Sequence, residues 1–405
     1  MKKLLIITNN LIFDSLRFRL NHTLPFFYEK FEVKIVAIVP ILDIPPVEAI
    51  GSRAAQLKYL IKSTLKTLPN LPRILLKNEG NVTIIRRPIP DTPLDFIFQI
   101  INITLVAWII KLKKIYKEGD ICLASPIDAG VCALFAKMPI PVIFEDVDRF
   151  EFFQSNFLVK KFVIFFERYC IVNSTKVISA GFKLAESAKT MRKNGVYCIP
   201  NGVDLRFFAN IHLDDYERDF FSMIFIGTIA PWSGLEVVLQ SLPDIVSEFP
   251  QTKLIIVGKA YPGYISALKE MAKKLNVDAH VFFLGPKEYK ELPSIISKCG
   301  IGMATFPNEE LMRYAFTYKV IEYMAAGIPI IATAVGDTGE IVTKYNVGII
   351  VENTPESVAS GVKKLFRDRD YALMFAKNSR RFSEDFDLRN LAQREIEILL
   401  NTIIR

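Results

Sequence analysis

Hydrophobic positions in this chain come in short continuous blocks separated by longer mixed stretches. In the first half, runs rich in Ile, Val, Leu and Phe fall at 3–8, 32–39, 82–86, 120–124, 142–145, 176–179 and 196–199. They do not alternate with polar residues. Both faces of such strands are therefore expected to be covered, as in a parallel sheet flanked by helices. Stretches with helical spacing lie between them, at 15–28, 47–68, 94–117, 129–136, 157–171 and 181–193. This βαβ rhythm predicts a doubly wound α/β fold. The rhythm lapses over 201–216 and the acidic run 214–219, which reads as a linker. It then restarts with strands at 222–227, 253–258, 281–285, 301–305, 329–333 and 348–351. Two Rossmann-like domains in tandem follow. Residues 388–403 carry apolar positions at helical spacing with charges between them, so the chain should close on an amphipathic helix.

The length agrees with that division, because 405 residues exceed one ordinary core. The net charge of +8 suits an anionic partner: nucleic acid, an anionic membrane or a phosphorylated substrate. A merely solvated basic surface accounts for it equally well. Nucleic acid is excluded as a partner, since no basic stripe or reading motif is present. The five cysteines (Cys122, Cys132, Cys170, Cys198 and Cys299) are scattered through apolar runs without metal-ligand spacing, and His22, His212 and His280 lie far apart. Reduced thiols in a cytoplasmic protein, with no metal site, are the expectation. The start is basic and then apolar, but too short for a signal sequence, and reads as a buried first strand. The most hydrophobic window, 94–110, carries Asp95, Gln99 and Asn102. It falls short of the roughly 20 apolar residues of a spanning helix and reads as a buried or interfacial one.

The stretch 307–333 holds the clearest chemistry. Its helix should begin near Thr317 or Tyr318 and end at Gly327, a glycine suited to a left-handed cap, with Pro329 blocking continuation. Lys319 and Glu322 are three residues apart and share a face near the helix N-terminus. That end, with its partial positive charge, suits a phosphate. A carboxylate one turn further on can accept hydrogen bonds from sugar hydroxyls. The arrangement fits a nucleotide diphosphate. On local grounds alone, an ordinary surface pair of Lys319 and Glu322 is the favoured reading.

Three stretches carry a resemblance: Ile199-Pro200-Asn201-Gly202-Val203-Asp204, then 225–235 with Gly227 and Gly234, then 319–329 with Lys319, Glu322, Gly327 and Pro329. In this order and spacing the chain resembles the retaining glycosyltransferases of family 4. The resemblance implies the GT-B architecture: two Rossmann-like doubly wound domains facing a cleft. It implies an N-terminal acceptor domain over 1–204 and a donor domain over 205–386, with the helix 387–405 packing back on the first. A nucleotide sugar would be the co-substrate, and no metal or other cofactor is expected. Glu322 matches the second glutamate of the family's E-x7-E motif, which grips the ribose. Tyr314 stands where the first glutamate belongs. The loop 315–318, with Thr317 and Tyr318, matches the loop that offers backbone N–H groups to the diphosphate. Gly227 matches the strand-end glycine, while Thr228 and Ser233 occupy the positions of its two cationic diphosphate ligands. Lys319, Arg313 and Lys259 are candidates to replace them. Trp232 and Phe306 are candidate pocket walls, with core or rim packing the alternative. Gly336–Glu340 matches a further donor loop, with Thr338 as a candidate helix cap.

In the first domain, Asn9 and Asn10 close the first strand, where acceptor loops would lie, although Asn also suits turns for its own sake. Asp146 and Asp148 follow a strand and are weaker catalytic candidates beside Lys319 and Glu322. The aromatic and basic run 152–168, together with 94–114, could form a face for peripheral contact with an anionic membrane. Buried helices with snorkelling lysines are the alternative. The leading expectation is a retaining sugar transferase with a lipid-linked or glycan acceptor, working at the inner face of the cell membrane. A catalytically inactive GT-B-like scaffold is the rival, supported by Thr228, Ser233 and Tyr314. A sugar-nucleotide epimerase shares the architecture but fits the linker and third motif less well.

Overall fold

The computed structural model describes residues 1–9, 19–40, 76–87, 95–154, 156–211 and 218–403, and side chains for all of these except 40 and 95–99. Asn10 and the helix expected at 47–68 lie outside the described residues. The chain forms two compact units.

The first unit comprises Met1–Ala180, Leu184–Ile199 and Ala392–Arg405. Its elements begin with β1 (Lys2–Thr8), α1 (Arg19–Lys30), β2 (Phe31–Pro40), β3 (Leu76–Glu79), β4 (Val82–Arg87) and α2 (Asp95–Leu112). They continue with β5 (Ile121–Ser125), α3 (Ile127–Phe135), β6 (Val142–Asp146), α4 (Phe157–Asn173), β7 (Lys176–Ser179), α5 (Phe182–Met191) and β8 (Val196–Cys198). The strands form one sheet in the order β3-β4-β2-β1-β5-β6-β7-β8. The pairings are parallel except that of β3 with β4. The continuous apolar runs are the cause: Leu4, Leu5, Ile6 and Ile7 are all fully buried, so both faces of β1 are covered.

Two details depart from the sequence reading. The helix expected over 94–117 stops at Leu112; Lys114 takes a left-handed conformation, φ 53°, and a short 3-10 turn follows. The edge strand β3 was not anticipated. Within α2, Asn102, Val106, Ala107 and Ile110 face inward, while Ile101, Leu105, Trp108 and Leu112 form an exposed apolar stripe. Among the described residues no helix is long and apolar enough to cross a membrane.

The second unit comprises Gly181–Lys183 and Pro200–Leu391. It runs β9 (Asp219–Ile226), α6 (Leu235–Glu248), β10 (Lys253–Val257), α7 (Tyr264–Lys274), β11 (Val281–Gly285), α8 (Leu292–Ile296) and β12 (Cys299–Ala304). Then come α9 (Tyr318–Ala326), β13 (Ile330–Thr333), α10 (Gly336–Tyr345), β14 (Gly348–Val351), α11 (Pro355–Arg367) and α12 (Arg369–Phe382). The strand order is β11-β10-β9-β12-β13-β14, all parallel. Both units are thus Rossmann-like parallel sheets covered by helices. The closing helix, α13 (Leu388–Ile403), turns Glu395 inward; Arg19 lies between its carboxylate, at 2.6 Å, and that of Glu145, at 2.7 Å.

Candidate functional site

The candidate site of the second unit lies at the carboxyl edge of its sheet, where open α/β sheets bind ligands. β9 ends at Ile226, and the chain turns at Gly227 with φ 127°. The N–H of Gly227 donates to the Val257 carbonyl at 3.0 Å, and that of Gly258 to the Gly285 carbonyl at 3.0 Å. The loops after β9 and β10 are nested so tightly that a Cβ at Gly258 would collide with the Gly227 carbonyl. A Cβ on Gly227 would come within 3.3 Å of Lys319 Cε and 3.5 Å of its Nζ. The glycine therefore leaves room for the lysine.

Lys319 arrives from the first turn of α9. Its Nζ stands 3.9 Å from the centroid of the Phe225 ring and 4.6 Å from that of Phe306. Held between two π-faces, the ammonium is attracted by both rings in a largely desolvated place. Lys319 is 8% exposed, and Glu322 has no exposed surface. The surface-pair reading of these two residues is therefore wrong: α9 sinks this face into the sheet edge. The helix starts after Thr317 with no side-chain cap, so its N-terminal turn keeps its partial positive charge. It ends, as expected, at Gly327 in the left-handed conformation, φ 64°.

Two polar anchors fix α9. The Tyr323 hydroxyl accepts the N–H of Ile226 at 3.1 Å and lies 3.0 Å from the Ile224 carbonyl and 3.3 Å from that of Met303. Burial pushes this phenol well above its usual pKa, so it stays a hydroxyl. The Asn201 amide donates to the Phe316 carbonyl at 3.3 Å, and its oxygen accepts the Tyr318 hydroxyl at 3.1 Å. The Pro-Asn-Gly stretch thereby orients the loop before α9. Sequence reasoning flagged Asn201 as part of a motif but gave it no role.

The remaining candidates of this unit are less closely gathered. Thr228, Lys259 and Arg313 are exposed, while Ser233 is buried in the 3-10 turn Pro231–Ser233. Phe306 is buried against Lys319, and Trp232 meets Tyr261 edge to face with centroids 4.9 Å apart. Tyr314 is half-buried at the end of the 3-10 turn Glu310–Arg313. Thr317 Oγ1 and the Thr338 hydroxyl are 3.0 Å apart. Thr338 is not a helix cap: α10 begins at Gly336, two residues earlier, and Thr338 lies inside its first turn.

In the first unit, Asp146 is deeply buried. It accepts from Arg149 at 2.7 Å and from the Ser179 hydroxyl at 3.1 Å, and Arg149 also reaches Glu167 at 3.0 Å. Burial raises the Asp146 and Glu167 carboxyls above their ordinary range, Glu167 to about 8, while Arg149 pulls both back. Asp146 is thus committed to an internal ion network, which argues against a reacting group. Asp148 accepts the Arg149 backbone N–H at 2.8 Å, and burial raises its carboxyl to about 6. Asn9 ends β1, and its side chain hydrogen-bonds Asp128, a residue the sequence reading did not single out. Among the described residues no group of three His, Cys, Asp or Glu side chains is placed to hold a metal ion. All five cysteines are free thiols.

Residues 216–382 match the model of the family "Glycosyl transferases group 1". The match takes in the stretches around Gly227 and Lys319 that carry the family 4 resemblance, so this part of the chain is similar to the group 1 glycosyl transferases. An uncharacterized glycosyltransferase of Methanocaldococcus jannaschii is 28% identical over 223 residues, 55% of this chain and 58% of that protein. A phosphatidyl-myo-inositol mannosyltransferase of Mycobacterium tuberculosis is 31% identical over 159 residues, 39% of this chain and 40% of that one. The matches therefore span only about half the length of these curated relatives. The crystal structure of Anabaena HepE with UDP-glucose shares the fold at a TM-score of 0.68 and 16% identity, covering 98% of this chain and 99% of that one. The fold is of the GT-B type.

Proposed function

We infer that the chain is a glycosyltransferase that moves a sugar from a nucleoside-diphosphate donor to an acceptor, with retention at the anomeric carbon. The single observation that carries this is Lys319 at Gly227, a cation held over the strand end beside an uncapped helix N-terminus. As the glycosidic C–O bond to the diphosphate breaks, negative charge grows on the departing oxygen. Lys319 and the first turn of α9 stand ready to stabilise it without reorganising. The acceptor oxygen forms its bond to the same face of the sugar, and its proton passes to the departing phosphate. This needs no side-chain base, consistent with the engagement of Asp146. Glu322 is the proposed ribose acceptor and Phe306 a pocket wall. No metal ion is part of the scheme.

The second unit is the proposed donor domain and the first the proposed acceptor domain. The likeness to the mycobacterial phosphatidyl-myo-inositol mannosyltransferase supports a lipid acceptor. The exposed stripe of α2 supports it too, as does that of α4, where Phe157, Lys161, Ile164, Phe165 and Arg168 all face outward. Mixed aromatic and basic faces suit an anionic bilayer surface. With the free thiols, they support work at the cytoplasmic face of a membrane. The test is calorimetry with a panel of nucleotide sugars, followed by anomeric analysis of any product by NMR. Binding of one donor with slow hydrolysis is expected, and a retained product with acceptor. If no donor binds, the scaffold reading, favoured by the exposed Thr228 and buried Ser233, replaces this one.

A further inference from the structure

A cavity of about 250 Å³ opens inside the first unit, among α2, α3 and α4 at the carboxyl edge of the sheet. Its walls are mainly apolar: Val106 from α2, Val131 from α3, and Phe162 and Phe166 from α4. One end is polar. There Asn9, at the end of β1, and Asp128, in the first turn of α3, face the space. The Asn9 amide oxygen is buried and, among the described residues, accepts no hydrogen bond. Asp128 is half-buried, with the Arg87 charge nearby. An unsatisfied buried acceptor is costly unless a ligand or water donates to it. Arg87, Asn102 and Gln154 add further polar groups to a lining that is otherwise apolar, and an apolar cavity of about 150 Å³ stays dry and accepts a benzene-sized guest. This one is larger than that and smaller than a typical drug-sized pocket. The helices that build two of its walls, α2 and α4, are also those whose outer faces expose Trp108 and Phe165, 63% and 61% accessible.

We propose that this cavity receives the hydrocarbon chain of a single-chain amphiphilic acceptor, whose head-group O–H or N–H donates to Asn9 and Asp128 at the sheet edge. The inference rests on the glycosyl-transfer reading and narrows its acceptor to one chemical class. A nucleotide or free sugar would leave most of these walls without a partner. A slender chain fills them, and its polar end supplies the hydrogen that the Asn9 oxygen lacks. Each methylene buried tightens binding about fourfold, until the cavity is full.

The full-length chain is titrated calorimetrically with n-hexyl and n-octyl β-D-glucoside below their micelle concentrations, and separately with UDP. Octyl should bind on the order of tenfold more tightly than hexyl, two methylenes apart. Val131→Trp and Ile103→Phe, each filling the space from a different helix, should abolish that chain-length dependence and leave UDP binding unchanged. Melting temperatures identify which variants are folded, and Asn9→Ala, which removes no wall, should weaken both glucosides equally. Equal affinity of the two glucosides for the native chain overturns the proposal. So does a chain-length dependence that survives in a folded cavity-filling variant, since the exposed stripes would then be the binding surface. Loss of UDP binding by the native chain would instead count against the donor reading, separately from the cavity.

Discussion

Lys319→Met is the most direct test of the candidate donor site. The change keeps a flexible side chain of similar reach and places a thioether between Phe225 and Phe306, a setting that sulfur accepts well. It removes the cation that sits 3.9 Å and 4.6 Å from those rings. A charge-assisted hydrogen bond to phosphate contributes about 1.5–3 kcal/mol net. Two unit charges 4 Å apart at an effective dielectric of 20 attract by about 4 kcal/mol, an upper bound once desolvation is subtracted. Because Lys319 is only 8% exposed, solvent screening removes little of this. A loss of about 2–3 kcal/mol is therefore expected, a roughly 30–150-fold weaker affinity for the nucleoside diphosphate. The assay is calorimetric titration of native and variant protein with UDP, and with GDP and ADP for comparison, at fixed salt. The monophosphate serves as control and should lose much less. A folded variant that binds the diphosphate within threefold of the native protein would refute the reasoning.

Further expectations concern stability. Burial raises the Glu395 carboxyl to about 7, with the Glu145 charge adding to the rise and Arg19 opposing it. The native state then holds a proton that the unfolded chain releases near its ordinary value of 4.5. Its contribution is full below that value and is lost as pH rises toward 7, by up to about 1.4 kcal/mol per pH unit. Melting curves from pH 5 to 8 should fall more steeply for the native protein than for Glu395→Gln; parallel curves would contradict the assignment. Arg149→Met should cost about 3–5 kcal/mol in urea unfolding, because Asp146 and Glu167 lose the charge they surround; a cost under 1 kcal/mol would show that the network is not held by the guanidinium. Tyr323→Phe leaves the buried Ile226 N–H without its acceptor and should cost about 1–3 kcal/mol. An unchanged midpoint would mean another group takes over. Flotation with anionic vesicles should fall for the double variant Trp108→Glu, Phe165→Glu at low salt, and no binding by the native chain would count against the membrane face.

The strands were legible because buried parallel strands announce themselves as continuous apolar runs. β3 was not, since three of its four residues are exposed and it carries no such run. The break after α2 was hidden because Lys114, rather than glycine, takes the left-handed conformation. At the site, the local pattern gave the helix and its cap, and the family resemblance singled out Gly227 and Glu322. It could not show that Lys319 and Gly227, 92 positions apart, would meet, nor that two aromatic rings would frame the ammonium. The ion network around Arg149 was also out of reach. Its carboxylates come from the end of β6 and the middle of α4, 21 positions apart, and nothing in the sequence pattern links them to Arg149. Asp146 was therefore read as a weak catalytic candidate, whereas its carboxylate is bound by Arg149.

The nesting of Gly227 against Gly258 bears on how this protein could be re-engineered. A library that randomised either glycine would return mainly misfolded clones, since one has no room for a Cβ and the other crowds Lys319 if it gains one. Thr228 and Lys259 are the next residues on the same two loops, and both are exposed. Their backbone path is dictated by the neighbouring turn, so their side chains can be exchanged without moving the scaffold. Diversity confined to those two positions would vary the surface beside Lys319 on an intact fold, in a library small enough to screen completely.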